Sequence, residues 1–400
     1  MIPRNLRHLR AFLAACETRS ATKAAERCRV SQPAVTFAIA KLENALGVQL
    51  FERTPGGLFP TDSGRVLHRR VKRALDRLDE ALSALSSRLR LTASYTQLQA
   101  LIAMREVGNY TLAARRLGVA QPTVHKAITA IEKEAGRLLF ERASHGMIAT
   151  RAAAALAQAA RLAVAEIGQA DSELAELDGR EVGGIVVGAM PLARAFLLPK
   201  AIAEFRKLRP ELPISLLDGP YDELIGGLRR GEIDFLIGAL RSPVPVGDVE
   251  QVELFCDTLV LVSGRDHPLA GRAGITAAQL HAYPWIVPRA RTPTRAQFEA
   301  LFRDAGIEPP ARIVESGSVI VMRGLLACSD HLGCISRAQA QAELEYGLLT
   351  ALRCDWRPDP RPIGLTLRKG WVPTRLQRQF LEIVEMVTAA QKDVIRQGKS

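Results

Sequence analysis

The sequence predicts a multidomain protein: two tandem all-α units with long linker helices, then a two-lobed α/β domain. Three observations carry this reading. The beginning of the chain overlays on itself, without a gap, at a shift of 89 residues. Each copy runs into a long segment with helical apolar periodicity. From Gly184 onward the pattern changes to short apolar strands alternating with helices.

The repeat is read from residues of different kinds. Leu9 meets Leu98, Ala24-Ala25 meets Ala113-Ala114, and Gln32-Pro33 meets Gln121-Pro122. Glu43 meets Glu132, Gly47 meets Gly136, and Leu50-Phe51-Glu52-Arg53 meets Leu139-Phe140-Glu141-Arg142. Core, turn and polar positions all match, so shared composition is a poor explanation and a domain duplication is the better one. The expected domains are 1–90, 91–178 and 179–400.

Within the first copy a helix over about 6–17 sets Leu6, Leu9, Leu13 and Cys16 on one face. Leu13-Ala14-Ala15-Cys16 after three arginines imitates a lipoprotein cleavage site, but Arg10 leaves too short an apolar run for a signal core. A second short helix starts near Ser20, with small Ala24 and Ala25 permitting a close helix crossing, and Arg29-Val30 makes a turn. Ser31 then caps a third helix, with Pro33 in the first turn, where the N–H groups lack intrahelical partners anyway. That helix ends at Gly47. Residues 50–53 and 57–61 form a small hairpin, the wing of a winged helix-turn-helix.

The net charge of +12 points to an anionic partner. Residues 1–90 carry 17 Lys and Arg against 8 Asp and Glu, whereas 91–178 carry 9 of each, so the anionic partner should meet the first unit. A recognition helix puts its N-terminal residues in the DNA major groove. Here those are Ser31, Gln32, Pro33 and Thr36: Gln pairs bidentately with adenine, hydroxyls bond either base, and Pro meets a thymine methyl. Lys41 and Arg53 suit phosphates. The long helix over about 62–88 carries an apolar stripe (Val66, Val71, Leu75, Leu78, Leu82, Leu85) and the basic residues Arg65, Arg69, Arg70, Lys72, Arg73 and Arg77, as a dimerising linker with a basic flank near DNA would.

The second copy offers Gln121, Pro122, Thr123, His125 and Lys126 at the matching places and Arg142 on its wing. Its following helix is Ala-rich and turns acidic (Glu166, Asp171, Glu173, Glu176), which suits helix packing better than phosphate contact. The second unit is expected to have the weaker DNA role.

Gln32-Pro33-Ala34-Val35, Leu42-Glu43, Gly47, Leu50-Phe51-Glu52-Arg53 and Thr61-Asp62-Ser63-Gly64, at this spacing and ahead of a long helix, resemble the LysR-type transcriptional regulators. The inserted unit at 91–178 departs from that family, whose usual member has one such unit.

Past Gly184, strands are expected at Ile185–Gly188, Ile214–Leu217, Ile233–Ile237, Leu259–Val262, Trp285–Val287, Arg312–Glu315 and Gly333–Ser336. With helices between, they imply parallel sheets in two α/β lobes with a cleft at the strands' carboxyl ends. This is similar to the two-lobed, periplasmic-binding-protein-like effector domain of LysR-type regulators. The resemblance implies an effector site at the first-strand loop (Met190, Pro191, Ala193, Arg194), at Arg241, at the loop from Arg289 to Thr292, and at Ser316, Gly317 and Ser318 before a helix. Arg194, Arg241, Arg289 and Arg291 favour an acidic small molecule.

Other classes fit worse. The seven histidines (8, 68, 125, 145, 267, 281 and 331) are scattered, and no GxSxG, HExxH, P-loop or dinucleotide motif stands out, so neither catalytic residues nor a metal or cofactor is expected. A solute-binding transport protein would need an export signal and no helix-turn-helix. Six cysteines without CxxC spacing suit a reducing cytoplasm, and Cys328 and Cys334 read as buried small residues flanking a turn. The expected partners are double-stranded DNA, a small effector and further copies of the chain (dimer or tetramer), with no membrane.

Overall fold

A computed structural model of the chain describes residues 1–144 and 146–397, with side chains through residue 389. His145 lies outside the described residues. The chain forms two compact units, Met1–Gly183 and the remainder from Gly184.

The first unit contains the same succession twice. Helices α1 (Leu6–Thr18), α2 (Ala21–Cys28) and α3 (Gln32–Leu46) lead into the hairpin β1 (Phe51–Thr54) and β2 (Gly57–Pro60), then into α4 (Asp62–Ser83). After a short turn of helix, α5 (Leu89–Thr92), come α6 (Tyr95–Val107), α7 (Tyr110–Leu117), α8 (Gln121–Ala135), the hairpin β3 (Phe140–Ala143) and β4 (Gly146–Ala149), and α9 (Arg151–Leu177). Equivalent hydrogen bonds explain why particular residues recur. Glu43 Oε1 accepts from the backbone N–H of Leu50 (2.9 Å), and Glu132 Oε1 accepts from that of Leu139 (2.8 Å), so each glutamate ties its third helix to its wing. The Leu58 N–H donates to the Arg19 carbonyl (3.0 Å) and the Met147 N–H to that of Gly108 (2.8 Å). Gly57 makes this approach possible: its φ is +124°, and a Cβ there would lie 2.5 Å from the Arg19 carbonyl oxygen.

The two long helices differ from expectation in one respect. The apolar stripe of α4 does not face outward for a second protomer. Val71, Leu75, Leu78 and Leu82 are buried in one core with Leu156, Ala160, Ala163 and Ile167 of α9. Arg70, expected on a basic flank, is fully buried: its guanidinium donates to Glu166 (2.9 Å), Glu173 (2.6 Å) and the Gln169 amide oxygen (2.7 Å). Arg69 pairs with Glu173 at 2.8 Å and Arg73 with Glu166 at 3.0 Å. Burial pushes the Glu173 carboxyl up, but the adjacent Arg70 and Arg69 outweigh it and hold the group below its usual value.

The second unit holds two five-stranded sheets. One comprises β5 (Ile185–Ala189), β6 (Ile214–Leu217), β7 (Phe235–Ala239), β8 (Val249–Asp257) and, far along the chain, a strand at Arg361–Arg368. A single turn of π-helix at Ala193–Leu197 opens α10 (Leu198–Leu208), and α11 (Tyr221–Arg230) follows β6. The other sheet comprises β9 (Leu259–Ser263), β10 (Trp285–Val287), β11 (Ile313–Glu315), β12 (Leu332–Ser336) and β13 (Thr350–Ala351). Its helices are α12 (Ala277–His281), α13 (Pro293–Asp304), α14 (Val319–Ala327) and α15 (Arg337–Glu345). The returning strand is β14 (Arg361–Arg368), and α16 (Arg375–Gln397) closes the chain.

The sheets are mixed rather than parallel throughout. β14 pairs antiparallel with both β7 and β8, and β9 pairs antiparallel with β12. Cys334 is buried as expected, but Cys328 is exposed; burial pushes the Cys334 thiol up to about 12. No helix among the described residues is long and apolar enough to cross a membrane.

Candidate nucleic-acid interface and ligand pocket

The N-terminal face of α3 is set out in solvent by its own cap. Ser31 accepts from the Ala34 N–H (3.4 Å), and Pro33 occupies the first turn. Val35, Ala38 and Ile39 anchor the opposite face in the core. Ser31, Gln32 and Pro33 are exposed, Thr36 is half-buried, and the Gln32 amide donates to the Thr36 hydroxyl (3.1 Å). Lys41 is exposed on the same helix with its ammonium 5.6 Å from the Phe37 ring centre. An open cleft runs from α3 to the wing, bringing Gln32 and Thr36 together with Arg53, and adding Arg19, Lys23 and Gln49. Those three, and exposed Phe37, were missed by sequence reasoning; Arg19 and Lys23 flank the cap of α2, a position that a motif centred on α3 does not reach. His8 sits against Phe37, and burial with the nearby Lys41 charge lowers its pKa.

In the second copy Gln121, Pro122, Thr123, His125, Lys126 and Arg142 are likewise exposed. The His125 ring lies 5.2 Å from that of Tyr110. The surroundings differ from the first copy. Ala120 replaces the Ser31 cap and provides no side-chain hydrogen bond. At the places of Lys23, Lys41 and Gln49 stand Leu112, Ala130 and Leu138, and both leucines are exposed.

In the second unit a cavity of about 100 Å³ lies between the two sheets. Met190, Pro191, Arg241, Thr292, Ser316, Gly317 and Ser318 line it. Thr292 caps α13, and Ser318 caps α14 by accepting from the Val321 N–H (3.3 Å). Four expected residues, among them three of the four arginines taken to favour an acidic ligand, do not line the cavity. Ala193 is packed in the core, Arg194 turns to pair with Asp218, and Arg289 and Arg291 are exposed. Arg241 stacks over the Tyr221 ring, 4.5 Å from its centre, and its Nη1 reaches the Arg291 carbonyl.

A second cation in the lining was not anticipated. Arg361, on β14, is buried, donates to Asp257 (2.8 Å) and to the Thr294 hydroxyl, and has no partner for its Nε among the described residues. Asp257 also accepts from the Ala338 N–H (3.1 Å), so β8, β14, α13 and α15 meet at one buried charge pair.

An exposed recognition-helix face beside a basic wing, on the same chain as a two-sheet domain with a largely apolar pocket, defines a DNA-binding transcription regulator controlled by a small-molecule effector. The chain belongs to the LysR family: residues 6–65 and 95–154 match the model of the bacterial regulatory helix-turn-helix protein, lysR family, and residues 178–388 that of the LysR substrate binding domain. Among its relatives, the HTH-type transcriptional regulator GalR of Pseudomonas putida is 33% identical over 390 residues, 97% of this chain and 98% of that protein. The regulator GbpR of Azospirillum brasilense is 29% identical over 70% of this chain and 81% of its own. The full-length CbnR structure in complex with its target DNA is 25% identical, with a TM-score of 0.51, covering 73% of this chain and 99% of that one. These relatives are regulators, not enzymes.

Proposed function

We propose that the chain is a cytoplasmic regulator with tandem winged helix-turn-helix units at 1–90 and 91–178, each with its linker helix, and an effector domain at 179–400. The first unit is the main reader of DNA. Ser31, Gln32, Pro33 and Thr36 meet base edges, and Lys41 and Arg53 meet phosphates. The observation that carries this is the exposed, capped start of α3 facing Arg53 across an open cleft. Gln121, Pro122, His125, Lys126 and Arg142 form the second, weaker contact; loss of the Ser31 and Lys41 side chains at Ala120 and Ala130 supports that ranking. Two family-model matches in the first unit, and a relative aligned nearly end to end, support the duplication.

The effector is an acidic small molecule held between the lobes by Met190, Pro191, Arg241, Thr292 and Ser316 to Ser318, with Arg361 as a further cation. Binding shifts the protein between two states only as far as the effector's affinities for them differ. Thermal unfolding of the full chain against a panel of organic acids and neutral sugars tests the pocket. Stabilisation by acids alone is expected, and stabilisation by sugars alone rejects the acidic class. Binding-site selection with Gln32→Ala tests the reader: base preference should relax, and an unchanged preference removes Gln32 from the contact.

A further inference from the structure

The packing of α4 on α9 has a definite symmetry. Arg69 pairs with Glu173 while Arg73, one turn further along α4, pairs with Glu166, so the helices run antiparallel. In that register the turn of α4 around Leu75 lies about level with the turn of α9 around Val164, its counterpart at the repeat shift of 89, and Leu75 shares a core with Ala160, Ala163 and Ile167 of α9. An antiparallel pair in which a position lies level with its own duplicate is related by an approximate two-fold axis. A second contact obeys the same relation. The helix caps Asn5 and Ser94 are duplicates, and beside them Arg4 donates to the Tyr95 hydroxyl (2.6 Å) with its guanidinium over the ring. The two copies within one chain are therefore arranged as two protomers of a symmetric dimer are.

Their reading faces are not identical. Both present Gln-Pro, at Gln32-Pro33 and Gln121-Pro122. The neighbours diverge: Thr36 against His125, and Phe37 against Lys126.

We infer that each chain supplies both members of a recognition-helix pair, α3 and α8, which read two unlike half-sites at a spacing fixed by the α4–α9 contact, so that the operator is asymmetric. The inference deepens the proposed function and rests on it. It commits to duplex DNA with two different halves, however many chains assemble on a promoter.

Selection from a randomised duplex pool by the full chain, by Gln32→Ala and by Gln121→Ala tests it; both glutamines are exposed, so the variants keep the fold. The expected result is two different half-sites, about 10 base pairs apart centre to centre. Gln32→Ala should relax one half and Gln121→Ala the other, each lowering discrimination about 5- to 150-fold. A palindrome in which Gln32→Ala relaxes both halves and Gln121→Ala neither overturns the inference: the pair then forms between chains. Selection in which neither variant changes anything overturns the inference together with the assignment of base contacts on which it rests.

Discussion

Arg361 ties the lining of the cavity to the stability of the fold. Its guanidinium and the Asp257 carboxylate are both buried, so removing one strands the other. Arg361→Leu should cost about 3–5 kcal/mol, read as a lower urea midpoint. Adding Asp257→Leu should return much of the loss, because an apolar pair leaves no stranded charge. His267 gives a pH prediction. Its Nδ1 accepts from the Leu269 N–H (3.0 Å), its Nε2 faces the Asp330 carbonyl, and burial lowers its pKa below the usual value of about 6.5. The unfolded chain then takes the proton first. The stability is complete above pH about 6.5 and is lost as pH falls through that value toward the lower folded one. His8 and His68, also shifted down by burial, act in the same direction. Urea midpoints should fall between pH 7.5 and 5.5, and His267→Gln should reduce that fall. The capped, exposed start of α3 around Gln32 was legible because the motif and its repeat are local. Arg361 was not, because its partners Asp257 and Thr294 are distant in sequence and nothing in the local run marks the pairing.

Among the elements, the wings, capped helices and first strands could be read from periodicity and turn residues alone. β14 could not: it follows the run Arg357-Pro358-Asp359-Pro360 and itself contains Pro362, which demotes a strand reading. The pairing of α4 with α9 was half-legible. A basic helix and an acidic helix were each visible, but their complementarity becomes specific only once the two copies pack together. That pairing makes a clear prediction. Glu166→Ala with Glu173→Ala removes two carboxylates that pair with the buried Arg70 guanidinium, and should cost at least about 3–5 kcal/mol. Adding Arg70→Met should restore the denaturation midpoint to near or above that of the parent. A parent-like midpoint for the Glu166→Ala, Glu173→Ala variant would contradict the buried-charge account.

At the level of the whole molecule, the charge asymmetry in the sequence agrees with the basic cleft between α3 and the first wing. The two wing arginines, Arg53 and Arg142, occupy duplicate positions and are both exposed. Binding to the operator should weaken with salt, and Arg53→Ala with Arg142→Ala should flatten the log–log slope by about 2 for each bound chain while leaving the selected sequence unchanged. A flattening of about 1 for each bound chain assigns phosphate contact to one wing alone.

The antiparallel seam between α4 and α9 also bears on how the regulator behaves when scarce. A reader assembled from separate subunits falls apart on dilution, and its occupancy then rises steeply with protein concentration. Two readers joined in one polypeptide stay at a fixed effective concentration whatever the copy number. On the proposed reading, in which both units meet DNA, the seam turns a collision between molecules into a property of the fold, and the pair persists on dilution where an intermolecular one would dissolve.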